Sequence, residues 1–125
     1  MIAYDFDGVI IPEFSWIEGA SSTDILDMSF NLQPIFQPKG NYAIITGRSG
    51  PAIEALHAWI EAKLAVKPLI LFTNTEGMQP SNYKAMIINN NPQITKFIES
   101  EETQAKYIRE HTSIEVVLIN DLLVG

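Results

Sequence analysis

Apolar residues in this chain gather into short, nearly unbroken blocks separated by longer stretches of mixed character. Ile2-Ala3-Tyr4 runs into Asp5 and reads as a first strand over 2–5. Asn41 to Thr46, Pro68 to Thr73, Ile94 to Ile98 and Ile114 to Ile119 repeat the pattern. Near-continuous apolar strands are expected when both faces of a sheet are covered. Between them the spacing changes to helical. Ile25, Leu26, Met28, Ser29 and Leu32 predict a helix capped by Ser22 or Thr23 and running to about Gln33, where Pro34, Pro38 and Gly40 stop it. Ile53, Leu56, Ile60 and Leu64, with Trp59 beside them, predict a second helix, capped by Ser49 and opened by Pro51. Residues 82–90 predict a third, with Tyr83, Met86 and Ile87 inward, and Glu101 to about Glu110 a fourth, capped by Ser100. Residues 8–22 and 74–81 read as loops.

Strand and helix alternate throughout. That order predicts an α/β fold: a doubly wound, Rossmann-like three-layer sandwich on a mainly parallel five-stranded sheet, in one core domain over 1–125. Such folds bind ligands at the carboxyl ends of their strands. The polar residues at those ends are Asp5 and Asp7, Thr46 with Gly47, Thr73 with Asn74, and Glu99.

Composition narrows the function classes. The chain has 125 residues, 46% hydrophobic and 18% charged, as in a compact soluble protein. No apolar run approaches the roughly 20 residues of a membrane helix, and the first strand begins at once, without a basic leader. The absence of Cys excludes disulfides, thiolate zinc sites and cysteine nucleophiles, and fits an intracellular, cytoplasmic setting. A net charge of −7 argues against broad binding to phosphate backbones.

The candidate chemistry begins with Asp5 and Asp7, followed by Gly8. Side chains two apart on a strand share a side, so a backbone extended through Asp7 aims both carboxylates into one space. Carboxylates that close oppose each other's ionisation. A Mg²⁺ ion, which prefers carboxylate and phosphate oxygens, relieves the conflict. The plainer alternative is an Asp- and Gly-rich surface turn.

Further motifs decide between them. Asp5-Phe6-Asp7-Gly8-Val9, Ile45-Thr46-Gly47-Arg48, Lys84 at the start of a helix after the third strand, and the acidic stretch Phe97 to Glu102 are spread over most of the chain. Together they resemble the four motifs of the haloacid dehalogenase superfamily of Mg²⁺-dependent phosphotransferases. The resemblance implies a phosphatase in which Asp5 attacks phosphorus and Asp7 is the general acid/base. Thr46, Gly47 and Lys84 would hold the phosphoryl group, with Arg48 facing the substrate. The metal would take Asp5, Asp7 through its carbonyl, and Glu99, with Glu101 or Glu102 as an alternative or an outer partner. This family more often has Asp at the fourth motif. The gaps that carry cap domains in many relatives are short here. That implies an open site and a substrate that can be large, such as a phosphorylated nucleic-acid end or protein.

Each residue also has a plainer role. Thr46 can be a turn residue, Lys84 a solvated helix lysine, and Glu101 and Glu102 complements of a helix dipole. Lys96 competes with Lys84 from inside a strand. Asn120-Asp121 mimics the fourth motif too late in the strand count. Glu76 can line the site; His57 and His111 receive no role, and Trp16 and Trp59 read as anchors. A receiver domain would need a phosphorylatable Asp after the third strand, where Thr73-Asn74 stands. A catalytically inactive binding module on the same fold is the remaining alternative.

Overall fold

The computed structural model describes residues 1–124. Five strands, β1 (Ile2–Tyr4), β2 (Tyr42–Ile45), β3 (Ile70–Phe72), β4 (Lys96–Glu99) and β5 (Glu115–Leu118), alternate with α1 (Ser22–Ser29), α2 (Pro51–Lys63), α3 (Pro80–Asn90), α4 (Glu102–His111) and α5 (Ile119–Val124). The sheet is wholly parallel in the order β3-β2-β1-β4-β5. The chain winds outward from β1 to β3, then returns to the other side of β1. The β1/β4 border is therefore the point where strand order reverses, the usual ligand crevice of such sheets.

Alternate strand residues feed two core layers. Tyr4, Ile44 and Ile98 pack with Leu56, Trp59 and Ile60 of α2 on one face. Ala3, Ala43, Ile45 and Phe97 pack with Tyr83, Ile88, Ala105 and Ile108 of α3 and α4 on the other. This double covering explains the unbroken apolar strands. Trp59 is fully buried, edge-on to Phe6 at 5.2 Å between ring centroids. No described helix is long and apolar enough to cross a membrane.

Element boundaries differ from the sequence expectation where caps and turns decide them. Ser21, not Ser22 or Thr23, caps α1 in a reciprocal capping box with Asp24, and the helix ends at Ser29 rather than near Gln33. Gly50, at φ 58°, replaces Ser49 as the cap of α2. Gln79 caps α3, with Pro80 opening it ahead of residue 82. Glu101 replaces Ser100 at α4, accepting from the amides of Thr103 and Gln104. In α3, Met86 faces outward while Lys84 faces in. β4 lies one to two residues later than expected, which makes Glu99 its last residue.

Candidate functional site

The strand ladders set the first positions. The Asp5 amide donates to the Ile98 carbonyl at 2.9 Å, and the Thr46 amide to the Phe72 carbonyl at 3.1 Å. Both residues are thus held at the carboxyl end of the sheet. The extended backbone expected through Asp7 does not persist. The chain bends at Phe6, whose carbonyl accepts the Ile10 amide at 2.9 Å, and Gly8 takes φ 84°. That curl buries Val9, Ile10 and Ile11 completely. Asp5 and Asp7 still line one cleft, of about 280 Å³, but they take different partners.

Asp5 pairs with Lys84. The Lys84 ammonium lies 3.2 Å from Asp5 Oδ1, 2.8 Å from Glu99 Oε1 and 2.9 Å from Gln104 Oε1. Asp5 Oδ1 also accepts the Phe6 amide at 2.8 Å. Lys84 is 2% exposed, so the solvated-lysine alternative fails. Lys96 instead faces Glu115 at 3.8 Å, remote from the cleft. Burial is the largest influence on Asp5 and pushes its carboxyl well above the usual aspartate value. Lys84 pulls it back, and the charges of Glu99 and Asp7 add to the rise. Burial alone would lower the Lys84 ammonium, but Asp5 and Glu99 outweigh it and hold it above the ordinary lysine value.

Asp7 pairs with Arg48 through two parallel bonds, Nε to Oδ2 at 2.9 Å and Nη2 to Oδ1 at 2.8 Å. The guanidinium carbon lies over the rings of Phe6 and Trp16, 5.1 Å from each centroid, with Phe14 at 5.9 Å. Trp16 is therefore a wall of the cleft as well as a loop anchor. Thr46 Oγ1 accepts the Arg48 amide at 3.1 Å, which leaves the hydroxyl proton free to donate. Gly47 is required by a close approach: a Cβ there would lie 2.8 Å from Pro80 Cβ. Asn74 braces this turn, donating to the Gly47 carbonyl at 3.3 Å and the Met78 carbonyl at 2.7 Å.

Glu99 is wholly buried, and both its oxygens are engaged. Oε1 takes Lys84, while Oε2 takes the amides of Ser100 at 2.8 Å and Glu101 at 3.1 Å. Slight burial raises the Glu101 carboxyl, but hydrogen bonds from Gln104 and Thr103 outweigh it and leave it below the usual glutamate value. Glu102 is exposed outside the cleft, as are Glu76 and Asp121. Asn120 and Asp121 lie within α5 rather than at a strand end.

Ser100 is the residue that sequence reasoning missed. Its hydroxyl oxygen is 3.1 Å from the Asp7 carbonyl oxygen, 3.4 Å from Asp5 Oδ2 and 3.4 Å from Glu99 Oε2. Gln104, one turn on in α4, was missed as well. The spacing of Ser100 and Gln104 was visible, but nothing in the sequence tied it to Lys84.

No family model, curated protein or solved structure matches the chain.

The donor set can be compared with what Mg²⁺ requires. The ion takes six oxygens at roughly 2.0–2.1 Å, so neighbouring ligands stand roughly 3 Å apart. Asp5 Oδ2, the Asp7 carbonyl and the Ser100 hydroxyl are hard oxygens, and the hydroxyl stands 3.4 and 3.1 Å from the other two. The carboxylates of Asp5, Asp7 and Glu99 also outnumber the cations Lys84 and Arg48. The chemistry therefore fits a small hard cation. Among the described residues, no three His, Cys, Asp or Glu side chains gather into a metal-holding group, so the fit depends on carbonyl and hydroxyl oxygens.

Proposed function

We propose that this chain is a phosphoryl-transfer enzyme of the haloacid dehalogenase kind, hydrolysing phosphomonoesters through a phosphorylated Asp5 with Mg²⁺ as cofactor. The observation that carries the reading is the meeting of Asp5, Thr46, Arg48-Asp7 and Lys84 around one cleft at the strand ends. These residues come from the segment after β1, the turn after β2, and α3, and the three sequence segments have no local reason to meet.

The chemistry needs a nucleophile, a proton carrier and cations for the phosphoryl oxygens. A carboxylate oxygen of Asp5 bonds to phosphorus as the bond to the ester oxygen breaks. Asp7, once released from Arg48, gives the departing oxygen its proton. Asp7 then takes a proton from water, which attacks phosphorus, frees phosphate and restores Asp5. Lys84, the Thr46 hydroxyl and the Gly47 amide bind the equatorial oxygens, where charge accumulates. Arg48 can turn from Asp7 towards the same oxygens. A bound Mg²⁺, held by Asp5 and the Asp7 carbonyl, would supply the charge that lets two anions approach.

The connection from β1 to β2 holds only a loop, whose Glu13, Phe14 and Trp16 line the cleft, and the eight-residue α1, with no further domain. That openness favours bulky phosphorylated substrates over compact metabolites. A non-catalytic binding module is the second reading, favoured by one observation: both Asp7 oxygens are already held by Arg48.

Hydrolysis of p-nitrophenyl phosphate separates the two. We expect Mg²⁺-dependent turnover that Asp5→Asn reduces by a factor of about 10³ or more. Turnover that survives Asp5→Asn, or none with p-nitrophenyl phosphate and a panel of phosphorylated metabolites, oligonucleotide ends and peptides, overturns the enzyme reading.

A further inference from the structure

We propose that Ser100 supplies the third protein ligand of the cation, and that Glu99 stands behind it as the acceptor orienting its hydroxyl. The proposal rests on the phosphoryl-transfer reading and concerns how this chain meets that reaction's need for a cation.

Glu99 is badly placed to be a ligand itself. It is fully buried, and its oxygens hold the Lys84 ammonium and the amides that start the turn into α4. Moving it onto a cation would strip the buried Lys84 of its closest partner and break two hydrogen bonds to the turn, which is costly. Glu101 is committed to capping α4, and Glu102 points to solvent.

Ser100 has the opposite surroundings. Its Oγ stands 3.1 Å from the Asp7 carbonyl and 3.4 Å from Asp5 Oδ2, close to the edges of a Mg²⁺ octahedron. With Oγ as their shared neighbour, these oxygens would hold one side of a cation and leave its other side to water and a phosphoryl oxygen. A hydroxyl ligand turns a lone pair to the metal and needs an acceptor for its proton. Glu99 Oε2, at 3.4 Å, is that acceptor. Gly8 makes room for this arrangement, since a Cβ there would lie 2.7 Å from both Ser100 Cβ and Oγ. Asp5 then carries the only formal charge among the three ligands, so the cation is held more weakly than by two carboxylates.

The test is Mn²⁺ binding to the full chain, followed by electron paramagnetic resonance without substrate, for wild type and the variants Ser100→Ala, Ser100→Asp and Ser100→Cys. Circular dichroism checks each fold. Affinity should fall about tenfold or more in S100A and rise about tenfold or more in S100D. S100C should shift preference from Mg²⁺ towards Cd²⁺, because a thiolate selects softer ions. A residue that only packs would leave that preference unchanged, and S100C, nearly the same shape, decides the matter if S100A fails to fold. Equal Mn²⁺ affinity across the series, or no Mn²⁺ binding by wild type, overturns the proposal. Turnover with flat affinities sinks this inference alone; graded affinities without turnover sink the enzyme reading alone.

Discussion

Replacing Lys84 by Met tests whether the buried charge cluster is balanced as described. The substitution keeps the length of the side chain and removes one ammonium that is 2% exposed. It leaves Asp5 and Glu99 facing each other without the cation that now lies 3.2 and 2.8 Å from them. Breaking a buried ion pair on one side typically costs about 3–5 kcal/mol, because the orphaned charge stays desolvated. For a chain of this size that is a fall in Tm of roughly 10–20 °C. The loss should depend on pH, with a definite sign. Burial, Glu99 and Asp7 all push the Asp5 carboxyl up, and only Lys84 restrains it. Without Lys84 the folded variant takes up a proton at a pH where the unfolded chain has released it. Its stability therefore rises as pH falls, and the penalty is smaller at pH 5 than at pH 8. In the wild type, the raised Lys84 ammonium stabilises the fold below the ordinary lysine value, and that contribution disappears as pH climbs through the folded value. Urea unfolding of both proteins at the two pH values measures this directly. Adding Glu99→Gln should recover about 1–3 kcal/mol at pH 8 by removing one of the stranded charges. A penalty below about 1 kcal/mol, or one equal at both pH values, would refute the account of the cluster.

Two further substitutions probe the scaffold. Gly8→Ala meets a φ of 84° and a Cβ 2.7 Å from Ser100, so we expect a loss of about 2–4 kcal/mol in thermal unfolding; a loss under about 1 kcal/mol means the turn is not constrained as seen. Arg48→Lys cannot keep both bonds to Asp7 or offer a planar guanidinium to Phe6 and Trp16, and should cost about 1–3 kcal/mol. A double-mutant cycle with Asp7→Asn should show strong coupling, and additive effects would mean that the two residues do not act as a pair.

The sequence alone determined the α/β class, because strands covered on both faces must read as unbroken apolar runs. It also singled out Asp5, Asp7, Thr46, Lys84 and Glu99 as chemistry at strand ends or helix starts. It could not show that the backbone bends at Phe6, since that bend is fixed by Gly8 and by burial of Val9, Ile10 and Ile11 against distant residues. Nor could it divide the charges into Asp5-Lys84-Glu99 and Asp7-Arg48, because Asp7 and Arg48 are 41 positions apart, Lys84 and Glu99 are 15 apart, and the partners meet only when β1, β2 and β4 align and α3 packs beside them. Helix caps misled it by a residue or two, because several neighbouring polar residues can satisfy the same amides. Ser100 reads locally as a cap; only the folded chain brings its hydroxyl among oxygens from Asp5, Asp7 and Glu99, since hydrogen bonding depends on distance in space rather than along the chain.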